Sequence, residues 1–301
     1  MLLNMVIIKK DPSDFKVREL IRLEYDKLAG NYAYYKLTKR NCDTLKAVEL
    51  ISKRLNVPIK FIGYAGNKDK YAETEQSISI PQVFRKRADI VRIDKIALEF
   101  LGCGKNRIHL GDNYGNAFEI KVYNYKKYHP STFFINYFGE QRFGKDNHII
   151  GKKSLKKENV YIDFKRKRFC LNAYQSYLWN KCINIYLENR SKKFKIGSYT
   201  FTENKIKNIK IPLINFDTKL AGKIGYIYSR LLEKEGITQK DFIIRHERNL
   251  ISETVYRDLI VNVNNLKFKD DILKFTLPKG SYATVFIQNI FREPVIALPN
   301  S

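Results

Sequence analysis

Residues 43–81 constrain the fold of this chain more than any other stretch. DTLKAVELISKRL places Leu45, Val48, Ile51 and Leu55 on one helical face, with Asp43 as its N-cap and Pro58 closing the region. FIGYA then reads as a short buried strand, Gly66 and Asn67 as turn formers, and SISIP as a second, alternating strand that ends at a proline. A surface helix running straight into a pair of strands calls for mixed α/β structure. The loop between the strands, AGNKDKYAETEQ, sets the carboxylate of Asp69 between Lys68 and Lys70.

The remaining elements agree with that class. RIHLGDNYGNAFEIKVYNY reads as two more strands around a Gly/Asn turn, and DILKFTL alternates as a strand before the PKG turn. In SYATVFIQNIF the spacing predicts a helix with Tyr282, Val285, Phe286 and Ile290 on one face and Ser281 as its cap. LNAYQSYLWNKCINIYLENR carries Leu171, Tyr174, Leu178, Cys182 and Ile185 at helical spacing, the pattern of a core stripe. No internal repeat and no Pro/Gly/Ser-rich linker is visible, so a second domain is expected to be inserted tightly rather than tethered.

Charge narrows the function. The chain has 301 residues and a formal net charge of +25, far beyond what solubility requires, which points to a polyanionic partner, nucleic acid ahead of a membrane surface. Its 44% hydrophobic content, with 20 Tyr and 19 Phe, can fill a substantial core. No apolar run approaches the ~20 residues that cross a bilayer, and MLLNMVIIKKDPSDF lacks the order of a signal peptide, so a cytoplasmic location is expected. Cys42, Cys103, Cys170 and Cys182 form no CxxC pair and fit reduced thiols; His109, His129, His148 and His246 show no ligand spacing, and no metal is suggested.

Basic residues concentrate in GKKSLKKEN (Lys152, Lys153, Lys156, Lys157), in FKRKRF (Lys165, Arg166, Lys167, Arg168) and in SKKFKIG, just after QRFG. Charge runs are ordinarily solvated faces, but clustering in one region shifts the reading toward an RNA-facing surface.

Local chemistry leaves Asp69 open. Flanking ammonium groups favour an ionised carboxylate, and a loop held by strands can aim it into a cleft as nucleophile or base, yet a lone KDK is most often a polar turn. A GxxxxGK[ST] phosphate loop, a GxGxxG after a strand, a GxSxG elbow and a recognisable Cys/His pairing are all missing, which removes P-loop and triad chemistry from consideration.

Separated stretches, taken together, resemble the TruD family of tRNA pseudouridine synthases. AGNKDKYAETEQ (65–76) meets the family's AGxKDxxAxTxQ, NYFGEQRFG (136–144) its NYFGxQRFG, and DFKVRE (14–19) its DFxVxE. GNAF (115–118) and LPKGSYAT (277–284) are similar to its remaining core motifs, leaving roughly 146–255 weakly matched.

The resemblance implies a fold and a chemistry. The fold would be an α/β (α+β type) pseudouridine synthase catalytic domain, a mixed, mainly antiparallel sheet with helices, formed by 1–145 and 256–301. An inserted TRUD domain at 146–255 would act as an RNA clamp or lid, with the cleft between the two. The activity would be isomerisation of a tRNA uridine, uridine 13 in the family, to pseudouridine. Asp69 would be catalytic, Phe15, Asn136 and Tyr282 substrate contacts, and Phe138 a cleft-lining aromatic. Local chemistry adds supporting residues: Lys68 and Lys70, to bind phosphate or keep Asp69 ionised, and Arg142, to pair with Asp69 or only brace its own loop. Tyr282 departs from the phenylalanine usual in bacterial members, keeping the ring and adding a hydroxyl.

No redox, nucleotide or metal cofactor is implied, and a monomer with tRNA as its partner and no membrane is expected. Two competing readings are a non-catalytic RNA chaperone, against which the intact Asp69 loop argues, and a metal-dependent nucleic-acid hydrolase using Asp69 and Glu75.

Overall fold

The structure, a computed structural model, describes residues 5–26, 29–243 and 254–298; His246 lies outside them. It divides into two compact units, one of Met1–Thr132, Val263–Gly280 and Glu293–Ser301, the other of Phe133–Asn262 and Ser281–Arg292.

The first unit is built on a ten-stranded sheet of β1 (Val6–Ile8), β2 (Phe15–Leu20), β3 (Tyr32–Arg40), β4 (Gly63–Tyr64), β5 (Glu73–Pro81), β6 (Ile96–Gly104), β7 (Gly115–Tyr123), β14 (Asn264–Lys269), β15 (Ile272–Pro278) and β16 (Val295–Ala297). Its central order is β14-β15-β7-β2-β5-β3-β6, antiparallel except between β2 and β5, and β1 runs parallel to β16 at one side. Helix α1 (Thr44–Leu55) begins where the Asp43 carboxylate accepts from the Lys46 amide, and it stops at Asn56, whose left-handed φ of 53° an asparagine tolerates.

Ala47, Val48, Ile51 and Leu55 bury against Tyr35, Leu37, Ile78 and Ile80 of β3 and β5. Each large apolar side chain buried this way contributes about 1.5–3 kcal/mol. Leu45, expected on that face, is 48% exposed; Thr44 and Ala47 take the inward positions instead. A short helix, α2 (Arg85–Asp89), follows β5.

One expected strand is absent: 107–114 form a loop, and only β7 is extended. Side chains satisfy that loop's backbone, since Ser79 Oγ accepts from the Ile108 amide at 3.0 Å and Asp112 from the His109 amide at 2.7 Å, so it needs no ladder.

The second unit contains β8 (Phe133–Ile135), α3 (Asn147–Leu155), α4 (Phe164–Leu187), β9 (Lys193–Ile196), β10 (Tyr199–Thr202), β11 (Lys210–Pro212), α5 (Gly222–Glu235), β12 (Tyr256–Asp258), β13 (Ile260–Asn262) and α6 (Ala283–Phe291). Among the described residues its strands pair in twos, β8 with β13, β9 with β10 and β11 with β12. The axis of the unit is α4, which buries Leu171, Tyr174, Leu178, Trp179, Cys182 and Ile183; Ile185, expected in that stripe, is 46% exposed. Helix α3 approaches so closely at Gly151 that a Cβ there would lie 2.1 Å from the Cys170 carbonyl oxygen.

This unit is larger than the 146–255 insertion expected from the sequence. It takes in NYFGEQRFG because β8 pairs with β13, and it takes in α6 because Phe286 packs on Phe134 with ring centroids 5.4 Å apart. Helix α6 is buried on nearly every side rather than along one face, and its N-cap is Tyr282, with no side-chain bond, rather than Ser281.

Candidate active site

Asp69 lies in the loop between β4 and β5, as its spacing predicts. Three polar side chains fix that loop's backbone. Gln76 donates to the Gly66 carbonyl at 3.0 Å, and Thr44, the first residue of α1, accepts from the Lys68 amide at 2.9 Å while itself donating to Gln76. The third is Lys39, 1% exposed, whose Nζ donates to the carbonyls of Cys42, Asp69 (3.0 Å) and Lys68 (3.5 Å). Burial pushes the Lys39 ammonium down to about 8, against the pull of the Asp69 and Asp43 carboxylates.

The cation on the Asp69 carboxylate is not one of its sequence neighbours. Lys9 Nζ donates to Asp69 Oδ2 at 2.6 Å; the lysine side chain is 7% exposed and the aspartate 37%. Oδ1 has no hydrogen bond among the described residues. Lys9 follows β1 with a φ of 59°, uncommon for a lysine, and its ammonium sits 4.0 Å from the centroid of the Phe15 ring.

Lys68 turns the other way, to the fully buried carboxylate of Glu19, which also accepts from the Ser77 amide. Lys70 is exposed. The expectation that Lys68 and Lys70 flank Asp69 electrostatically is therefore corrected: successive residues of an extended loop point apart, and a partner from 60 residues upstream takes the place. Phe15 is buried at the start of β2, edge-on to Phe118, which stacks on Phe275.

The other expected site residues gather in the second unit. Asn136 follows β8, and its amide is engaged internally, donating to the Asp258 carbonyl at 2.9 Å and accepting from Arg257 at 2.6 Å. Phe138 is clamped through its backbone by Asn180, which both donates to and accepts from it. The Arg257 guanidinium lies 4.0 Å over the Phe138 ring, and burial pushes it down to about 10. Tyr282 meets Phe138 edge-on, centroids 6.1 Å apart, and presses on Gly139, where a Cβ would come within 2.8 Å of its ring. Among the described residues Arg142 pairs with no acid; its Nε donates to Ser176 on α4 at 3.2 Å, the bracing of its own loop.

Among the basic runs, Lys152 forms an ion pair with Glu235, so its charge is neutralised within the unit. Lys153, Lys156 and Lys157 are exposed at and beyond the end of α3; Lys165, Arg166 and Arg168 are exposed in the first turns of α4, with Lys167 half-buried. Phe164 and Phe169, also exposed, bracket the run 165–168.

Sequence reasoning missed Lys9, Lys39 and Arg257. Only Lys39 left a signal: the period of two in YYKLTK puts it on the inward phase with Tyr35 and Leu37, where a lysine needs a specific partner. Among the described residues no cluster of His, Cys, Asp or Glu could hold a metal ion, and no helix is long and apolar enough to cross a membrane.

These features can be set beside known proteins. The family model for tRNA pseudouridine synthase D (TruD) matches residues 5–161 and 195–290, a far narrower gap than the 146–255 left weakly matched by motifs. A probable tRNA pseudouridine synthase D of Nanoarchaeum equitans is 30% identical, over 96% of this chain and 99% of its own length. The tRNA pseudouridine synthase D of Aquifex aeolicus is 29% identical, over 96% and 98%. A crystal structure from Methanosarcina mazei, assigned to tRNA pseudouridine synthase D, shares the fold with a TM-score of 0.68 at 21% identity, over 97% of this chain and 94% of that one. With the family model matched on both sides of α4, and relatives aligned over nearly the whole length, the chain belongs to the TruD family of pseudouridine synthases.

Proposed function

We propose that this protein isomerises a uridine of tRNA, uridine 13 by family expectation, to pseudouridine, and that Asp69 initiates cleavage of the glycosidic bond. The observation that carries this is the asymmetric Asp69 carboxylate: Oδ2 is held by buried Lys9, while Oδ1 has no hydrogen bond among the described residues and the side chain is 37% exposed. A carboxylate anchored through one oxygen has the other ready to attack ribose C1′ or to take a ribose proton. The bond from C1′ to N1 of uracil breaks, a bond from C1′ to C5 forms, N1 gains a proton and C5 loses one to solvent. Nothing is added, so the reaction needs no cofactor.

An enzyme that acts on a base must take it out of the stack. Tyr282 offers an aromatic ring, worth about 1–3 kcal/mol per stacked base, and Phe138, covered by Arg257, backs that ring edge-on in the lining of the site. Phe15 contributes by backing the Lys9–Asp69 pair, and Asn136 by orienting Arg257. Lys153, Lys156, Lys157, Lys165, Arg166, Lys167 and Arg168 supply the attraction for the phosphate backbone.

The test is tritium release from carbon-5-labelled uridine in a tRNA transcript, in EDTA, with wild type and Asp69→Ala. Release by wild type alone is expected. No release by either protein despite tight binding of tRNA would replace this reading with that of an RNA chaperone.

A further inference from the structure

Arg142 is a half-buried cation whose hydrogen bonding is unfinished among the described residues. Its Nε is committed to Ser176 Oγ, and that hydroxyl gives its own proton to the Asn172 carbonyl at 2.7 Å. The terminal amino groups of Arg142 have no hydrogen bond among the described residues. Aromatic rings flank the guanidinium, Phe169 at 5.2 Å and Phe138 at 6.0 Å from ring centroid to Cζ, and these pack against it without neutralising its charge. Burial pushes its pKa down, and the one group that pulls it back up is the phenol of Tyr282, not a carboxylate.

Tyr282 is unfinished in the same way. Its hydroxyl has no hydrogen bond among the described residues, and burial raises its pKa while Arg142 and then Arg257 pull it down, which places the phenol in the field of both guanidiniums. The ring is fixed by Gly139 and Phe138, three and four positions before Arg142 in the same loop. A cation and a hydroxyl, both held in place and both with donors to spare, form half of an anion site.

We propose that the terminal N–H groups of Arg142 and the hydroxyl of Tyr282 together bind one phosphodiester of the RNA. A guanidinium fork matches two phosphate oxygens, and the phenol adds a third donor. A phosphodiester is favoured over an isolated carboxylate because Phe169, which stacks on Arg142, also stands among the exposed Lys165, Arg166 and Arg168 of α4. The same basic track therefore leads from the surface of α4 to Arg142. This inference rests on RNA being the substrate, and it gives the Tyr282 hydroxyl a task that a phenylalanine at that position cannot perform.

The experiment is titration of a fluorescent tRNA transcript against wild type, Arg142→Gln, Arg142→Lys and Tyr282→Phe at several salt concentrations, with steady-state kinetics alongside. Arg142→Gln is expected to lower the slope of log affinity against log salt by about 0.7–1, the share of one phosphate. It should weaken binding about tenfold or more, raising KM more than it lowers kcat. Arg142→Lys should restore the slope. Tyr282→Phe, which keeps the ring and the packing, should weaken binding roughly three- to tenfold without changing the slope.

An unchanged slope in folded Arg142→Gln overturns the proposal. If Arg142→Gln does not fold, Tyr282→Phe decides: binding equal to wild type overturns the proposal, and weaker binding with an unchanged slope upholds it. Wild type that releases no tritium, combined with a reduced slope in Arg142→Gln, removes the pseudouridine reading and leaves the anion subsite standing. Tritium release by wild type with an unchanged slope in Arg142→Gln removes the subsite alone.

Discussion

The group around Asp69 and the group around Phe138 solve the problem of buried charge in opposite ways. Around Asp69 two carboxylates each meet an ammonium, Asp69 with Lys9 and Glu19 with Lys68, and a third lysine, Lys39, is spread over three carbonyls. In the second unit guanidiniums rest on rings and amides, Arg257 on Phe138 and Asn136, Arg142 on Phe169 and Ser176. Local pairing holds the Asp69 carboxylate in one geometry with no ligand present. On the reading proposed above, the terminal N–H groups of Arg142, which have no hydrogen bond among the described residues, wait for an anionic ligand.

That contrast makes the two groups fail differently. The largest effect is expected for Asp69→Ala, with turnover falling by at least about 10⁴-fold while tRNA affinity stays within about threefold, read by tritium release and by titration. A comparable loss of affinity would erase the division between chemistry and binding. Lys9→Met should come next, lowering kcat by roughly 100-fold through loss of the charge-assisted bond that orients Asp69 Oδ2, with Lys9→Arg recovering part of it. An effect on KM alone would make Lys9 an RNA contact instead.

Lys39 predicts a pH effect confined to the first group. Burial holds its pKa near about 8, below the usual lysine value, so the native state loses this proton as pH rises through that value. An ammonium has three donors for the three carbonyls, whereas the neutral amine has two N–H groups, so one tie to the Asp69 loop weakens. The rate should therefore fall on the alkaline side, up to about tenfold. Lys39→Met should be slow at every pH and lack that limb; persistence of the limb in this variant would assign it elsewhere.

The smallest effect sharpens the second group: Gly139→Ala puts a methyl 2.8 Å from the Tyr282 ring. The cost is overpacking of about 1–3 kcal/mol, seen as a lower Tm and a severalfold higher KM with kcat little changed. Unaltered KM would mean that the Phe138–Tyr282 geometry does not matter to binding.

Periodicity made α1, β5, β15 and α6 legible, because the helical and strand repeats are properties of local sequence. It failed where tertiary contacts replaced the local rule. Residues 107–114 look strand-like but bond to the side chains of Ser79 and Asp112, and Leu45 has the right spacing but faces solvent because Thr44 turns inward to serve the Asp69 loop. The extent of the second unit was equally hidden, since it depends on β8 finding β13 more than 120 residues later.

The sequence by itself determined the class of fold, the loop that carries Asp69, the motifs that mark the family and the excess of positive charge. Only the tertiary structure decided which charges meet. Lys9 reaches Asp69 across 60 residues, Arg257 reaches Asn136 across 121, and Lys39 reaches the loop because β3 pairs with β5 in one register. Periodicity and spacing act over a few residues, whereas an ion pair forms between whichever groups the sheet and the helices bring within about 4 Å, and strand register and helix packing set that distance.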